Sequence, residues 1–156
     1  LRLVKMGPYD AHQRGEWLSL VGAWLDGGGD GIVAVNTYTT PRDKVPAENW
    51  GYPTAGRSGK FLRDYRLRAV SDARREFPQS VIFATGGIFD ADDAYNTFTA
   101  GADAVEGYTP FAYEGLGLSR KLMKGVSKLM RRDGYRTLED LRQGVRGEAQ
   151  DYFCLR

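Results

Sequence analysis

Two glycine-centred segments carry the densest chemistry in this 156-residue sequence. In ATGGIFDADDAY, Gly86 and Gly87 directly follow an apolar run and precede a helical pattern. Glycines in that place let backbone N–H groups approach an anion closely, and a helix start adds its positive dipole end. A strand-to-helix turn needing positive φ explains an isolated Gly-Gly equally well. The second segment, Gly107-Tyr108-Thr109, follows the next apolar run and offers backbone N–H groups and a hydroxyl. Together the two point to a phosphate site. Lys5 is a lone cation ending an apolar run. Facing a ligand it would stabilise developing negative charge; otherwise it snorkels out at a strand end. Asn36-Thr37 closes another run. A carboxamide both donates and accepts, which suits an amide-containing ring, and an asparagine also simply opens loops.

Other motifs carry less. SRKLMKGVSKLMRR places Arg120, Lys121, Lys124, Lys128, Arg131 and Arg132 on one helical stretch. A solvated outer helix face explains it better than an anionic membrane or nucleic acid. His12, the only histidine, stands at a helix start and reads as surface or capping. One histidine supports no Ser-His-Asp arrangement, and no Cys/His cluster has metal-ligand spacing.

The elements that must position these groups follow one repeated grammar: an apolar run, a Gly-, Thr- or Pro-rich loop, then a helical stretch. The runs are Leu1–Met6, Gly31–Asn36, Ser80–Thr85 and Ala102–Tyr108. The helices are expected near His12–Leu25, Asp64–Glu76, Asp90–Ala100 and Gly117–Arg132, with Asp90 as an N-cap and Gly101 and Gly134 as stops. The last helix spaces Leu118, Leu122, Met123, Val126, Leu129 and Met130 as an apolar stripe. Strands alternating with helices read as parallel βα units. Four such units form either a small open sheet or half of an eight-unit (β/α)8 barrel, which takes about 250 residues when intact. In the half-barrel, the third and fourth strands are the seventh and eighth of the whole, whose loops often hold phosphate. Thr37 to about Leu62 is expected to be a long irregular loop. One domain over residues 1–143 is expected, with 144–156 a loosely ordered tail.

Composition is ordinary for a globular protein, with 42% hydrophobic and 27% charged residues. That excludes a disordered or low-complexity chain. A net charge of +2 gives no case for nucleic acid. Cys154 is the single cysteine, so no internal disulfide forms, which suits a reducing compartment. No apolar run approaches the roughly 18 residues of a spanning helix, and the opening LRLVKMGPYD has no signal-peptide pattern. Glycine, at 20 residues, is about 13% of the chain against a usual ~7%. The sequence opens inside a strand pattern without Met, so a piece of a longer protein is expected.

Taken in order, VKMGP, DGIVAVNTYTT, GRSGKFLRDYRLRAV and ATGGIFDADDAYNTFTAGADAVEGYTPFAYEGLGL resemble the carboxyl-terminal half of dihydroorotate dehydrogenase, to about Leu141. The resemblance implies a TIM barrel carrying FMN that oxidises dihydroorotate to orotate in pyrimidine biosynthesis. It implies that Lys5 lies beside the flavin ring and that Asn36 and Thr37 contact flavin and pyrimidine. It further implies that Ser58 and Gly59 end the family's GGLSG loop. Gly86, Gly87, Tyr108 and Thr109 would close on the phosphate. Val35 stands in the cofactor site where the family often has Thr or Ser, and AGRSG puts Ala55 and Arg57 in place of a glycine and a leucine. Arg57 would thus bring a charge near the cofactor.

YTPFAYEGLGL resembles a phrase of the quinone-linked class, implying a quinone acceptor rather than fumarate or NAD. The resemblance also implies a cytoplasmic protein or one peripheral on the inner membrane of a bacterium or mitochondrion, partnered by the other barrel half and in a possible homodimer. The family's proton-abstracting serine or cysteine lies on a loop of the preceding half, so no catalytic base is assigned here. Two alternatives stand beside this one: another FMN barrel, such as the flavin domain of dihydropyrimidine dehydrogenase, and a non-catalytic half-barrel that binds a phosphorylated ligand or a partner.

Overall fold

Short runs of β-branched and small apolar residues make the strands, and they stack side by side. The computed structural model describes residues 1–44 and 51–145. Its first units are β1 (Leu3–Met6), α1 (Arg14–Asp26) and β2 (Gly31–Ala34). A hairpin of β3 (Tyr38–Pro41) and β4 (Thr54–Arg57) precedes α2 (Arg63–Glu76). Then come β5 (Val81–Thr85), α3 (Ala91–Thr99), β6 (Ala104–Glu106), the short α4 (Thr109–Glu114) and α5 (Gly117–Arg132). The sheet is parallel, in the order β1-β2-β5-β6. The four expected βα units are therefore present, with strand ends trimmed by one or two residues.

Register decides which side chains share a face. Val4, Ile32 and Ile82 align, as do Met6, Ala34, Ala84 and Val105. Ile32, Ala34, Ile82 and Ala84 are fully buried and form one core with Trp17, Val21, Ala69, Val70 and Ala73 of α1 and α2. Strand side chains alternate between faces. Lys5, Val33, Phe83 and Ala104 therefore form a row on the opposite face, where Val33, Phe83 and Ala104 are half-buried and Lys5 is exposed.

A second core joins α3 to α5 through Ala94, Tyr95, Phe98, Val126, Met130 and Leu141. In the expected stripe of α5, Leu118, Val126 and Met130 are buried, but Met123 is 73% exposed, set apart from the face that meets α3. The six basic residues of α5 are exposed. Asp90 caps α3 by accepting from the Asp93 N–H at 2.8 Å. His12 lies exposed in a short turn before α1.

One expectation needs correction. The segment Thr37–Leu62 is not irregular throughout, because β3 and β4 pair antiparallel with Tyr38 opposite Arg57 and Thr40 opposite Ala55. The strand signal lay in the β-branched TYTT. Residues 109–114 form a helix that opens with Pro110 in its first turn, where its missing N–H costs nothing. Of the expected tail 144–156, only Gly144 and Val145 are described: they end a helix over 138–145, and Val145 packs into the second core beside the fully buried Leu141. Residues 146–156 lie outside the described residues.

Candidate functional site

The loops leaving β1, β2, β5 and β6 meet the end of the hairpin, since parallel strands send all their carboxyl ends to one edge. A cleft of about 310 Å³ opens there, at the small end of the ~300–1,000 Å³ usual for ligand sites. Lys5, Val35, Asn36, Thr37, Ser58, Gly59, Gly86, Gly87, Tyr108 and Thr109 all line it. These residues span 105 positions of sequence, and the sheet order together with the hairpin brings them to one place.

Gly86 and Gly87 adopt φ of +99° and +70°, a left-handed pair that only glycine holds at no steric cost. A Cβ on Gly87 would stand 2.8 Å from the Arg63 backbone nitrogen and 3.1 Å from the Arg63 Cα. The loop thus lies directly against the start of α2. Among the described residues, no group accepts from the backbone N–H of Gly86, Gly87, Ile88, Gly107 or Tyr108. Successive unpaired N–H groups in left-handed backbone form an anion-binding concavity. Both glycine-centred segments supply such donors to the same cleft. The next amide is already engaged, since Phe89 N–H donates to Asp93 Oδ2 at 3.0 Å. Thr109 Oγ1 donates to Ser58 Oγ at 3.2 Å, tying the loop after β6 to the end of the hairpin.

On the other side of the cleft, Val35 is buried and its N–H donates to the Thr85 carbonyl at 3.0 Å, which fixes the loop after β2 against β5. Asn36 N–H donates to the Met6 carbonyl at 2.8 Å, and Asn36 Oδ1 accepts from the Thr37 N–H at 2.9 Å. The carboxamide is therefore oriented locally, leaving its NH₂ to donate to a ligand. Lys5 projects from the sheet face away from the helices and lines the cleft.

Leu62, Thr85, Ile88, Glu106, Gly107 and Pro110 complete the lining. Of these, only Gly107 stands in a motif that the sequence marks as functional. Leu62 and Ile88 are buried apolar residues whose types carry no functional signal. Arg57 does not line this cleft. Its guanidinium sits 3.7 Å from the Phe61 ring centroid, and it lines a separate cleft against the hairpin with Tyr38 and Lys44. Pairing Arg57 opposite Tyr38 brings it to the aromatic cluster of Tyr38, Phe61 and Tyr65. The charge expected near the cofactor is held there by a cation–π contact.

A family model described as Dihydroorotate dehydrogenase matches residues 3–130. The dihydroorotate dehydrogenase (quinone) of Deinococcus radiodurans is 40% identical over 140 residues, covering 89% of this chain and 37% of the relative. That of Halobacterium salinarum is 36% identical over 138 residues, 88% of this chain and 38% of the relative. Among solved structures, ligand-free DHODH from Eimeria tenella superposes with a TM-score of 0.74 at 28% identity, over 89% of this chain and 38% of that one. The chain spans 37% to 38% of the length of these curated relatives.

Proposed function

The chain belongs to the dihydroorotate dehydrogenase family, and from that premise we propose that it forms the carboxyl-terminal half of an FMN-carrying barrel that oxidises dihydroorotate to orotate in pyrimidine biosynthesis. One observation carries this reading. Ten residues to which the resemblance gives flavin, phosphate and pyrimidine contacts line a single cleft at the carboxyl ends of parallel strands, where barrel sites form. The uncovered sheet face bearing Lys5, Val33, Phe83 and Ala104 suits the interior of a closed barrel.

The residues present fit FMN. The unpaired N–H groups of Gly86, Gly87, Ile88, Gly107 and Tyr108 match a phosphate, and the Thr109 and Ser58 hydroxyls border the same end of the cleft. When bound, FMN would supply the two-electron acceptor that takes hydride from the substrate's C6. Lys5 would place its ammonium beside the flavin ring, favouring the negative charge that reduction creates. With Oδ1 of Asn36 already engaged by Thr37, the Asn36 NH₂ would donate to a pyrimidine carbonyl and orient the ring. Val35 would contribute an apolar wall, with no hydroxyl contact. The C5 proton is assigned to a serine or cysteine on a loop of the preceding half-barrel. The relatives' names support a quinone as final acceptor; a place in the cytoplasm or peripheral on the inner membrane of a bacterium or mitochondrion belongs to the same proposal.

The test is a purified full-length protein assayed for bound flavin and for dihydroorotate-dependent orotate formation with a soluble quinone, fumarate or NAD as acceptor. Orotate formation with quinone alone is expected. A flavin-free protein that leaves dihydroorotate unchanged with every acceptor overturns the proposal.

A further inference from the structure

Arg66 is a charged residue in α2 with no solvent exposure at all, and it stands directly behind the anion-binding loop. Its Nη1 donates to the Gly86 carbonyl, and its Nη2 lies 3.5 Å from the Asp93 carbonyl. Its Nε has no hydrogen-bond partner among the described residues. Burial pushes the Arg66 guanidinium down to about 10, with the Asp93 carboxylate opposing that shift, so it stays charged at neutral pH. The Asp93 carboxylate faces Arg63 as an ion pair, with Nε 2.7 Å from Oδ1, and its Oδ2 accepts from the Phe89 N–H at 3.0 Å, while Oδ1 itself makes no hydrogen bond among the described residues.

A buried, incompletely satisfied cation is costly unless something compensates it. The geometry offers a compensating role. The carbonyl of Gly86 and the N–H of Gly87 belong to one peptide plane, and in a trans peptide they point in opposite directions. Holding the Gly86 oxygen towards α2 therefore points the Gly87 N–H away from α2. Gly87 lines the cleft, and its N–H has no partner among the described residues. A hydrogen bond from a guanidinium also polarises the peptide it reaches, strengthening the donor at its far end.

We propose that Arg66 is a positioning residue of the phosphate site: it fixes the Gly86–Gly87 peptide so that the Gly87 N–H donates to the ligand's phosphate, and its buried charge strengthens that bond. This rests on the FMN reading above, and it concerns affinity for the phosphate and not the redox chemistry. No feature of the sequence marks the role, because the contact joins residues 20 positions apart.

The experiment compares FMN with riboflavin, which lacks the phosphate, by quenching of flavin fluorescence on titration with wild-type protein, Arg66→Met and Arg66→Lys. Wild-type protein should prefer FMN. Arg66→Met should lose about tenfold or more in FMN affinity, the scale of a charge-assisted hydrogen bond, with riboflavin affinity unchanged. Arg66→Lys, which keeps a charge but loses the fork, should fall between. A wild-type protein that binds neither flavin defeats the FMN reading. A wild-type preference for FMN that survives in Arg66→Met, or equal loss of both flavins, overturns the role of Arg66 alone. A measurement that needs no variant guards against misfolding: the Gly87 amide resonance of the wild type should move on adding FMN and stay still with riboflavin. An amide indifferent to both overturns the proposal.

Discussion

Replacing Gly87 by alanine tests the cradle at its tightest point. The position has φ +70°, and left-handed backbone costs a residue with a Cβ roughly 1–2 kcal/mol. The added carbon would also meet the Arg63 nitrogen at 2.8 Å and the Arg63 Cα at 3.1 Å. Those are backbone atoms at the start of a helix, which cannot swing aside as a side-chain tip does. Overpacking of that kind adds about 1–3 kcal/mol. A total near 3 kcal/mol, at about 2–4 °C per kcal/mol for a domain of 150–250 residues, lowers Tm by roughly 6–12 °C. Gly115 provides the control. It has φ +69°, but a Cβ there meets nothing within 4 Å. Gly115→Ala therefore carries the backbone term alone and should lose about half as much or less. Thermal unfolding followed by circular dichroism, with flavin content measured on the same samples, separates the terms. Gly87→Ala should also purify largely free of flavin, because relieving the clash shifts the loop that carries the donors. Equal Tm losses in the two variants would falsify the steric account, and full flavin content in Gly87→Ala would show that this glycine only makes a turn.

Arg74 is buried and donates to the Gly101, Pro78 and Ser80 carbonyls and to Asp103 at 2.6–2.9 Å. Arg74→Met leaves those acceptors short, so chemical denaturation should show a loss of about 3–5 kcal/mol; a loss below 1 kcal/mol would contradict it. Lys5→Ala, in the full-length protein, should slow stopped-flow flavin reduction by dihydroorotate more than it weakens FMN binding, because its charge matters most as negative charge develops. An unchanged reduction rate removes Lys5 from the chemistry. Hydrogen bonds from Arg132 and Tyr95 hold the Asp133 carboxyl down to about 2 from its ordinary value. A depressed carboxylate contributes stability above its unfolded pKa and loses it as pH falls towards its folded one. The Tm gap between wild type and Asp133→Asn should therefore be constant above about pH 5 and close between pH 4 and 2, and a gap that widens on acidification contradicts the sign. Residues 1–156 expressed alone should self-associate through the uncovered sheet face and the edges of β1 and β6 and show no dihydroorotate oxidation; turnover by a flavin-loaded monomer refutes the half-barrel.

Much of this protein was legible without coordinates, because the signals were local. Alternating and 3.6-residue apolar patterns reflect which face each element buries, so the four parallel strands fall inside the expected runs, and α5 has the expected limits Gly117–Arg132. Asp90 caps its helix through a hydrogen bond three residues long, equally local. The ten candidate site residues stand in motifs whose order is visible in the sequence, and the parallel sheet and the hairpin bring them to one cleft. What depended on distant partners was not legible. TAGR carries no strand pattern and becomes β4 only because TYTTP lies beside it. Arg57 looks the same in sequence whether it faces a cofactor or a phenyl ring, and the hairpin register sends it to Phe61. Arg66 reads as one more charge on a basic helix, yet it is fully buried against the Gly86 carbonyl. Sequence patterns encode the average environment of a helix or strand face. The burial of a single charge is decided by what the rest of the chain packs over it, and here that is a loop 20 residues away.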